Sequence, residues 1–137
     1  MPMDFTRTAG DRVYGNAFIG DASQVDHIKL DVSDLTTNEV DASGRLKPNV
    51  PLKQDGTLAD GTAGEKIYGL TLEATKLPGR TSNTSPALGA DTTDPLIAVC
   101  TDCQINRDLA EGNLGRAFTP NELAAMAASG SITVTST

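Results

Sequence analysis

The chain has 137 residues and a formal net charge of -7, with 13 glycines, 7 prolines and no tryptophan. This length fits one domain. Glycines and prolines between short apolar runs favour many short strands and turns over long helices. The negative charge would repel a phosphate backbone or an anionic lipid surface, so neither nucleic acid nor a membrane is an expected partner.

Targeting and membrane signals are not recognisable in the sequence. No stretch of about 18 apolar residues could span a bilayer, and the segment after Met1 lacks the apolar core and basic flank of a signal peptide. We therefore expect a soluble protein that is not conventionally exported.

The first 26 residues carry apolar side chains without a sustained period, which predicts an extended N-terminal arm (residues 1–26) in front of one β domain (residues 27–137). Such side chains can make contacts that form only on a partner. Packing onto the chain's own domain explains the pattern equally well. The candidate binding residues of the arm are Phe5, Val13, Tyr14, Phe18 and Ile19.

The first predicted strand of the domain covers residues 27–33. Polar and apolar side chains alternate there, which is the period of a half-buried strand with Ile28, Leu30 and Val32 facing inward.

Two further strands are predicted before residue 75. Residues 46–54 direct Leu46, Val50 and Leu52 inward, and their prolines suit an edge position. Residues 67–74 have the pattern of a central strand, in which Gly69 indicates a bulge or a close approach of another backbone. The Asp-Gly pairs at residues 55–56 and 60–61 predict turns, and they lack the spacing of a calcium loop. Together these elements predict a small, mostly β domain of meander-like or barrel-like form, with one or two short helices.

The last 60 residues begin with a loop and end with a well-defined helix. Residues 78–95 are rich in Pro, Gly, Ser and Thr, which predicts a long surface loop. A buried strand follows, then a charged and glycine-broken loop over residues 106–118, a short helix, and a closing strand that contains Ile132 and Val134.

The helix is specified by several local signals. Thr119 and Glu122 form a capping box, Pro120 occupies the first helical position, and Phe118 can contact Leu123 across the cap. Gly130 supplies the left-handed stop. The predicted apolar face consists of Leu123, Met126 and Ala127.

Catalytic signatures are weak throughout the chain. His27 is the only histidine, and no serine or cysteine lies in a nucleophile motif. Phosphate-binding glycine loops are also missing, so nucleotide binding has no support. We expect no catalytic residues and no cofactor.

Cys100 and Cys103 form a CxxC pair, which could be a redox pair or half of a zinc site. A zinc site needs two more ligands, and the sequence offers no second pair. On a continuous strand this spacing directs the two side chains to opposite faces, so a disulfide or a chelate needs a turn between them. The favoured interpretation is one buried thiol and one thiol at a turn, with no bound metal.

Four segments in this order resemble the head decoration (cement) proteins of tailed bacteriophages, the group that shares the fold of the lambdoid capsid-stabilising protein. They read KLDVSDL, GRLKPNVPLKQDG, YGLTLEA and PLIAVCTDCQINRDLAEGNLGRAFTPNELAAMAASGSITV, and the resemblance covers about residues 27–134. It rests on the order of turns and apolar positions rather than on catalytic signatures. The chain departs from the family pattern in its long loop at residues 78–95 and in its CxxC pair.

The resemblance implies a structural virion protein. Such a protein is made in the host cytoplasm and binds the outer surface of the expanded capsid as a homotrimer, at threefold or quasi-threefold positions, with the arm reaching the major capsid protein. Two alternatives remain open from the residues. One is another trimeric virion surface, tail or fibre module, and the other is a small redox or metal protein that uses the CxxC pair.

Overall fold

The computed structural model describes residues 14–90 and 93–136, and the side chains of residues 21–23 are not described. Short strands dominate, and two short helices follow the longest internal strand, which confirms the predicted mostly β fold class. The elements are β1 (Phe18–Lys29), β2 (Arg45–Leu46), β3 (Pro51–Leu52), β4 (Gly69–Thr71), β5 (Thr75–Lys76), β6 (Leu96–Asn106), α1 (Arg107–Leu114), α2 (Pro120–Ser129) and β7 (Ile132–Thr135).

Strand β6 is the centre of the main sheet. β1 runs antiparallel along one of its edges. The other edge is shared by β4, opposite Val99 and Cys100, and by the parallel strand β7, opposite residues 103–106. β3 pairs with β4 at the far side, and β2 pairs with β5 in a separate small sheet. The order departs from a simple meander, because the first strand pairs with β6 rather than with its neighbour in sequence.

The predicted boundary between arm and domain, after residue 26, falls inside β1. Phe18 and Ile19, and again Gln24 to Asp26, are paired with β6, so the second half of the predicted arm contributes to the sheet. The strand was not recognised because its register shifts between Ile19 and Gln24, which interrupts the alternation of side chains. Residues 1–13 lie outside the described residues.

The predicted strand over residues 27–33 is correct in its inward residues and wrong in its end. Ile28, Leu30 and Val32 are buried. However, β1 ends at Lys29, and Val32 begins a short 3-10 turn that ends at Asp34.

The predictions around β3 and β4 are confirmed in their main features. Leu46, Val50 and Leu52 are fully buried, and β3 occupies an edge of the sheet. β4 has three residues and is shorter than predicted. A Cβ atom on Gly69 would lie 2.8 Å from the carbonyl oxygen of Cys100, which confirms the predicted close approach of two backbones.

The loop at residues 78–95 contains two buried side chains. Arg80 is only 2% exposed, and one of its terminal nitrogens donates to the carbonyl oxygen of Pro86, in the same loop, at 2.5 Å. Leu88 is also buried and begins a short 3-10 turn. The prediction of a surface loop therefore holds for most of its residues, although two side chains point inward.

The segment predicted as a polar loop before the second helix contains α1. Asn106 caps this helix, since its side-chain oxygen accepts a hydrogen bond from the Leu109 N–H at 3.0 Å, and Gly115 ends it in the left-handed conformation. The charged residues and Gly112 obscure the apolar face, which consists of only Ala110 and Leu114.

Helix α2 has the predicted capping box. Thr119 Oγ1 accepts from the Glu122 N–H at 3.1 Å, and Glu122 Oε1 accepts from the Thr119 N–H at 2.9 Å. The predicted face is rotated, because Ala125 is buried and Ala127 is exposed.

Replacing Thr119 with alanine removes the acceptor for the Glu122 N–H at this cap. We expect the free energy of unfolding to fall by about 1 kcal/mol. A denaturant titration measures the change, and Thr119→Ser is the matched control, since it keeps the oxygen. Equal loss in both variants would contradict a role for the hydroxyl group.

Candidate functional site

The start of the described chain is held against the domain by one buried side chain. The Gly15 N–H donates to Asn113 Oδ1 at 3.0 Å, and Asn113 Nδ2 donates back to the Gly15 carbonyl oxygen at 2.8 Å. Asn113 lies on α1 and is 5% exposed. Its Nδ2 also donates to Asn49 Oδ1 at 2.7 Å, so both polar atoms of the amide are satisfied.

The residue before Gly15 is held by a different part of the domain. The Tyr14 hydroxyl donates to Asp41 Oδ2 at 2.8 Å. Arg45 Nε donates to the same oxygen at 3.0 Å, and the Arg45 guanidinium lies 5.7 Å from the centre of the Tyr14 ring. We call the set Tyr14, Gly15, Asp41 and Asn113 the root clamp.

The root clamp borders a groove of about 700 Å³. One wall is formed by the chain from Tyr14 to Gly20, and the opposite wall contains Arg45, Pro48 and the turn at residues 72–74. Two of the lining residues are charged, Arg45 and Glu73. Arg45 is paired with Asp41.

The candidate binding residues of the arm are only partly brought together. Tyr14 and Phe18 both line the groove. Ile19 is 42% exposed and does not line it, because successive residues of a strand face opposite ways. Phe5 and Val13 lie outside the described residues.

Sequence reasoning missed the residues that hold the arm's first described residues. The sequence indicates no role for Asp41, and it predicts a loop at Asn113. Neither has a local signal for its role, because each contacts a residue 27 or 98 positions away in the chain.

The two cysteines are both buried, which corrects the prediction of one thiol at a turn. The neighbouring residues Gln24 and Val25 of β1 pair with Asp102 and Cys100 of β6. Thr101 is therefore an extra residue in β6, a β-bulge that lies between the two cysteines. Burial, and secondarily the nearby Cys100, raises the pKa of the Cys103 thiol. A thiol that resists ionisation is a poor nucleophile and a poor metal ligand at neutral pH.

No protein-family model, curated protein or solved structure matches this chain.

Residues 14–90 and 93–136 contain neither a metal-binding cluster nor a membrane-spanning helix. Within that part of the chain, no group of three or more His, Cys, Asp or Glu side chains is placed to hold a metal ion. None of the helices there has the length and apolar character needed to cross a membrane.

The Asp-Gly turns are built from hydrogen bonds within the chain. Asp55 Oδ1 accepts from the Thr57 N–H, and Asp60 Oδ1 accepts from the Thr62 N–H at 3.0 Å and from its hydroxyl at 2.6 Å. These bonds to Thr62 favour the ionised carboxylate, which lowers the pKa of Asp60 from 3.8 to about 2.

Replacing Thr62 with valine should raise the pKa of Asp60 toward its ordinary value. Because the folded pKa is depressed, Asp60 contributes stability that is complete above about pH 4 and is lost as the pH falls toward 2. A carboxyl NMR titration measures the pKa directly. Thr62→Ser is the control that keeps the hydroxyl group, and an unchanged pKa in Thr62→Val would contradict the assignment.

Proposed function

We propose that this protein is a structural component of a phage particle, which binds the outer surface of the expanded capsid as a homotrimer and stabilises the shell. The observation that carries the proposal is the ordered resemblance of residues 27–134 to head decoration proteins. Its four segments fall within one mostly β domain: β2 and β3 lie in the second segment, β4 in the third, and β6 to β7 in the fourth.

The geometry at the start of the chain supports this function. Residues 1–13 precede Tyr14 and Gly15, of which the Tyr14 hydroxyl is bonded to Asp41 and the Gly15 backbone to Asn113. Three such segments on one trimer would bind the major capsid protein with a high effective concentration, so each contact can be weak. Neither nucleic acid nor a membrane is required.

Binding that depends on the assembled lattice predicts stabilisation of particles and not of free subunits. The experiment adds the purified protein to expanded particles that lack it and measures the disruption temperature and the genome-release threshold. By mass action both should rise with occupancy, since the protein binds the intact shell in preference to the disrupted one. An isolated capsid subunit is the control, and its melting temperature should not change.

Two results would contradict the proposal. Unchanged thresholds at full occupancy would mean that the protein coats the shell without stabilising it. A low copy number on a stained gel of purified virions would instead favour a tail or fibre module, because a decoration protein is present in many copies per particle.

A further inference from the structure

We propose that Cys100 and Cys103 form a modification site, at which a small-molecule disulfide such as glutathione disulfide oxidises the two thiols to an intramolecular disulfide. The folded protein should form this bond with a larger equilibrium constant than the unfolded chain does. The inference does not depend on the proposed function, because it uses only contacts of β6 and its neighbouring strands.

A β-bulge separates the two cysteines. In a regular strand, residues three positions apart have Cα atoms roughly 10 Å apart and side chains on opposite faces. A disulfide requires Cα atoms within about 7 Å of each other. Thr101 is an extra residue in β6, and a bulge bends its strand and redirects side chains. The bulge therefore supplies the turn that a disulfide between these positions requires.

The two side chains are already in contact. The Cys100 thiol donates to the carbonyl oxygen of Asp102 at 3.3 Å, and this carbonyl group is bonded to the Cys103 nitrogen. The Cys103 side chain is in turn hydrogen-bonded to that of Cys100. Cys100 is fully buried and Cys103 is 8% exposed, within the same apolar core. Both sulfur atoms are therefore held near each other before any bond between them forms.

The bond would cross a point at which β6 changes its partner in the main sheet. Cys100 lies opposite Leu70 of β4, and Cys103 lies opposite Ile132 of β7. Along this edge of β6 the pairing passes from β4 to β7 between the two cysteines. A disulfide would therefore restrict the bulge at the position where the two neighbouring strands meet β6.

The reaction consists of two successive thiol–disulfide exchanges. One cysteine loses its proton to the solvent, and its thiolate attacks a sulfur of glutathione disulfide and expels a glutathione thiolate. The second cysteine, also deprotonated, attacks the protein sulfur of this mixed disulfide and expels the other glutathione thiolate. Two protein thiols are oxidised, one glutathione disulfide is reduced to two glutathione molecules, and the two protons balance the two thiolates released.

Burial controls the rate of this reaction, whereas the native contacts control its equilibrium. Burial is the main cause that raises the pKa of the Cys103 thiol, so oxidation of the native protein should be slow at neutral pH. The equilibrium constant depends on the entropy that is lost when the two sulfur atoms are brought together. In an unfolded chain, closing a loop of this length reduces the constant about twentyfold. In the folded protein that loss has already occurred.

The experiment measures the equilibrium constant in glutathione redox buffers at mildly alkaline pH, for the native protein and for the protein in concentrated urea. Samples are quenched with an alkylating reagent and digested with trypsin. Both cysteines lie in the tryptic peptide of residues 81–107, so mass spectrometry distinguishes the dithiol, the mixed disulfide and the intramolecular disulfide. We expect the native constant to exceed the constant in urea about ten- to twentyfold.

The variants Cys100→Ser and Cys103→Ser are controls, and each should form only a mixed disulfide with glutathione. Where native exchange is too slow to reach equilibrium, protein oxidised in urea is refolded and compared with reduced protein by denaturant titration. By the thermodynamic cycle, the unfolding constant of the oxidised form should be smaller by the same ten- to twentyfold. A native constant no larger than the one in urea, or an oxidised form no more stable than the reduced form, would overturn the proposal.

Discussion

Replacing Gly56 with alanine is expected to prevent stable folding of the domain. Gly56 has a φ of +82°, and a Cβ atom there would lie 2.0 Å from the carbonyl oxygen of Lys29 and 2.9 Å from the Asp31 nitrogen. The Gly56 carbonyl oxygen accepts from the Asp31 N–H at 3.1 Å, so the loop cannot withdraw without losing this bond. Both obstructing atoms belong to the backbone, which cannot move aside as a flexible side chain would.

The expected cost exceeds about 4 kcal/mol, which is a large part of the 5–15 kcal/mol that stabilises a typical domain. Circular dichroism and a denaturant titration measure the loss. Gly64→Ala is the matched control, since Gly64 has a φ of +80° with nothing within 4 Å of the added atom. That variant should be destabilised only by the cost of holding an alanine in the left-handed conformation, about 1–2 kcal/mol. Similar losses in both variants would show that the steric contact at Gly56 is unimportant.

Replacing Arg116 with methionine should cost about 3–5 kcal/mol. Its two terminal nitrogens donate to Glu122 Oε1 at 2.7 Å and Glu122 Oε2 at 3.0 Å, and one of them also donates to Glu39 Oε2 at 3.1 Å. Both carboxylates are buried, so the methionine variant leaves two charges without their cation. The same pairing, Glu122 first, raises the pKa of Arg116, which keeps the guanidinium charged at any ordinary pH.

Two further variants distinguish the loss of the ion pairs of Arg116 from the loss of a long side chain as the cause of destabilisation. Arg107→Met removes a more exposed partner of Glu111 and should cost at most about 1 kcal/mol. Adding Glu39→Gln and Glu122→Gln to Arg116→Met should recover part of the loss, because no charge is then left unpaired. Chemical denaturation measures all three proteins. If the triple variant is less stable than Arg116→Met, the buried charges are not the cause of the loss.

Helix α2 could be predicted in detail because its signals are local. Thr119, Pro120, Glu122 and Gly130 all lie within or next to the helix, and they act through contacts no more than three residues apart or through their own backbone preference. The burial of Leu46 and Leu52 was also predicted. However, the single strand predicted over residues 46–54 is two short strands, β2 and β3, which lie in different sheets. Sequence alone was sufficient only for α2.

Helix α1 and the first half of β1 could not be predicted because their stabilising contacts are distant. α1 has only two buried apolar side chains, and its third buried residue, Asn113, is polar. The first half of β1 has an irregular register, so its residues show no alternation, and the pairing of β1 with β6 joins segments about 70 to 90 positions apart. The entropy lost on closing a loop of that length is offset only when the contacts of the whole sheet have formed.

The same distinction between local signals and distant contacts applies to the candidate site. By itself the sequence determined the mostly β class, the capped helix and the weakness of catalytic signatures. Only the tertiary structure placed Asn113 and Asp41 beside the start of the chain, buried both cysteines on either side of an extra residue in β6, and assigned residues 18–26 to the sheet. Local propensity and periodicity report on neighbours in sequence, whereas a hydrogen bond between Gly15 and Asn113 depends on how the whole chain folds.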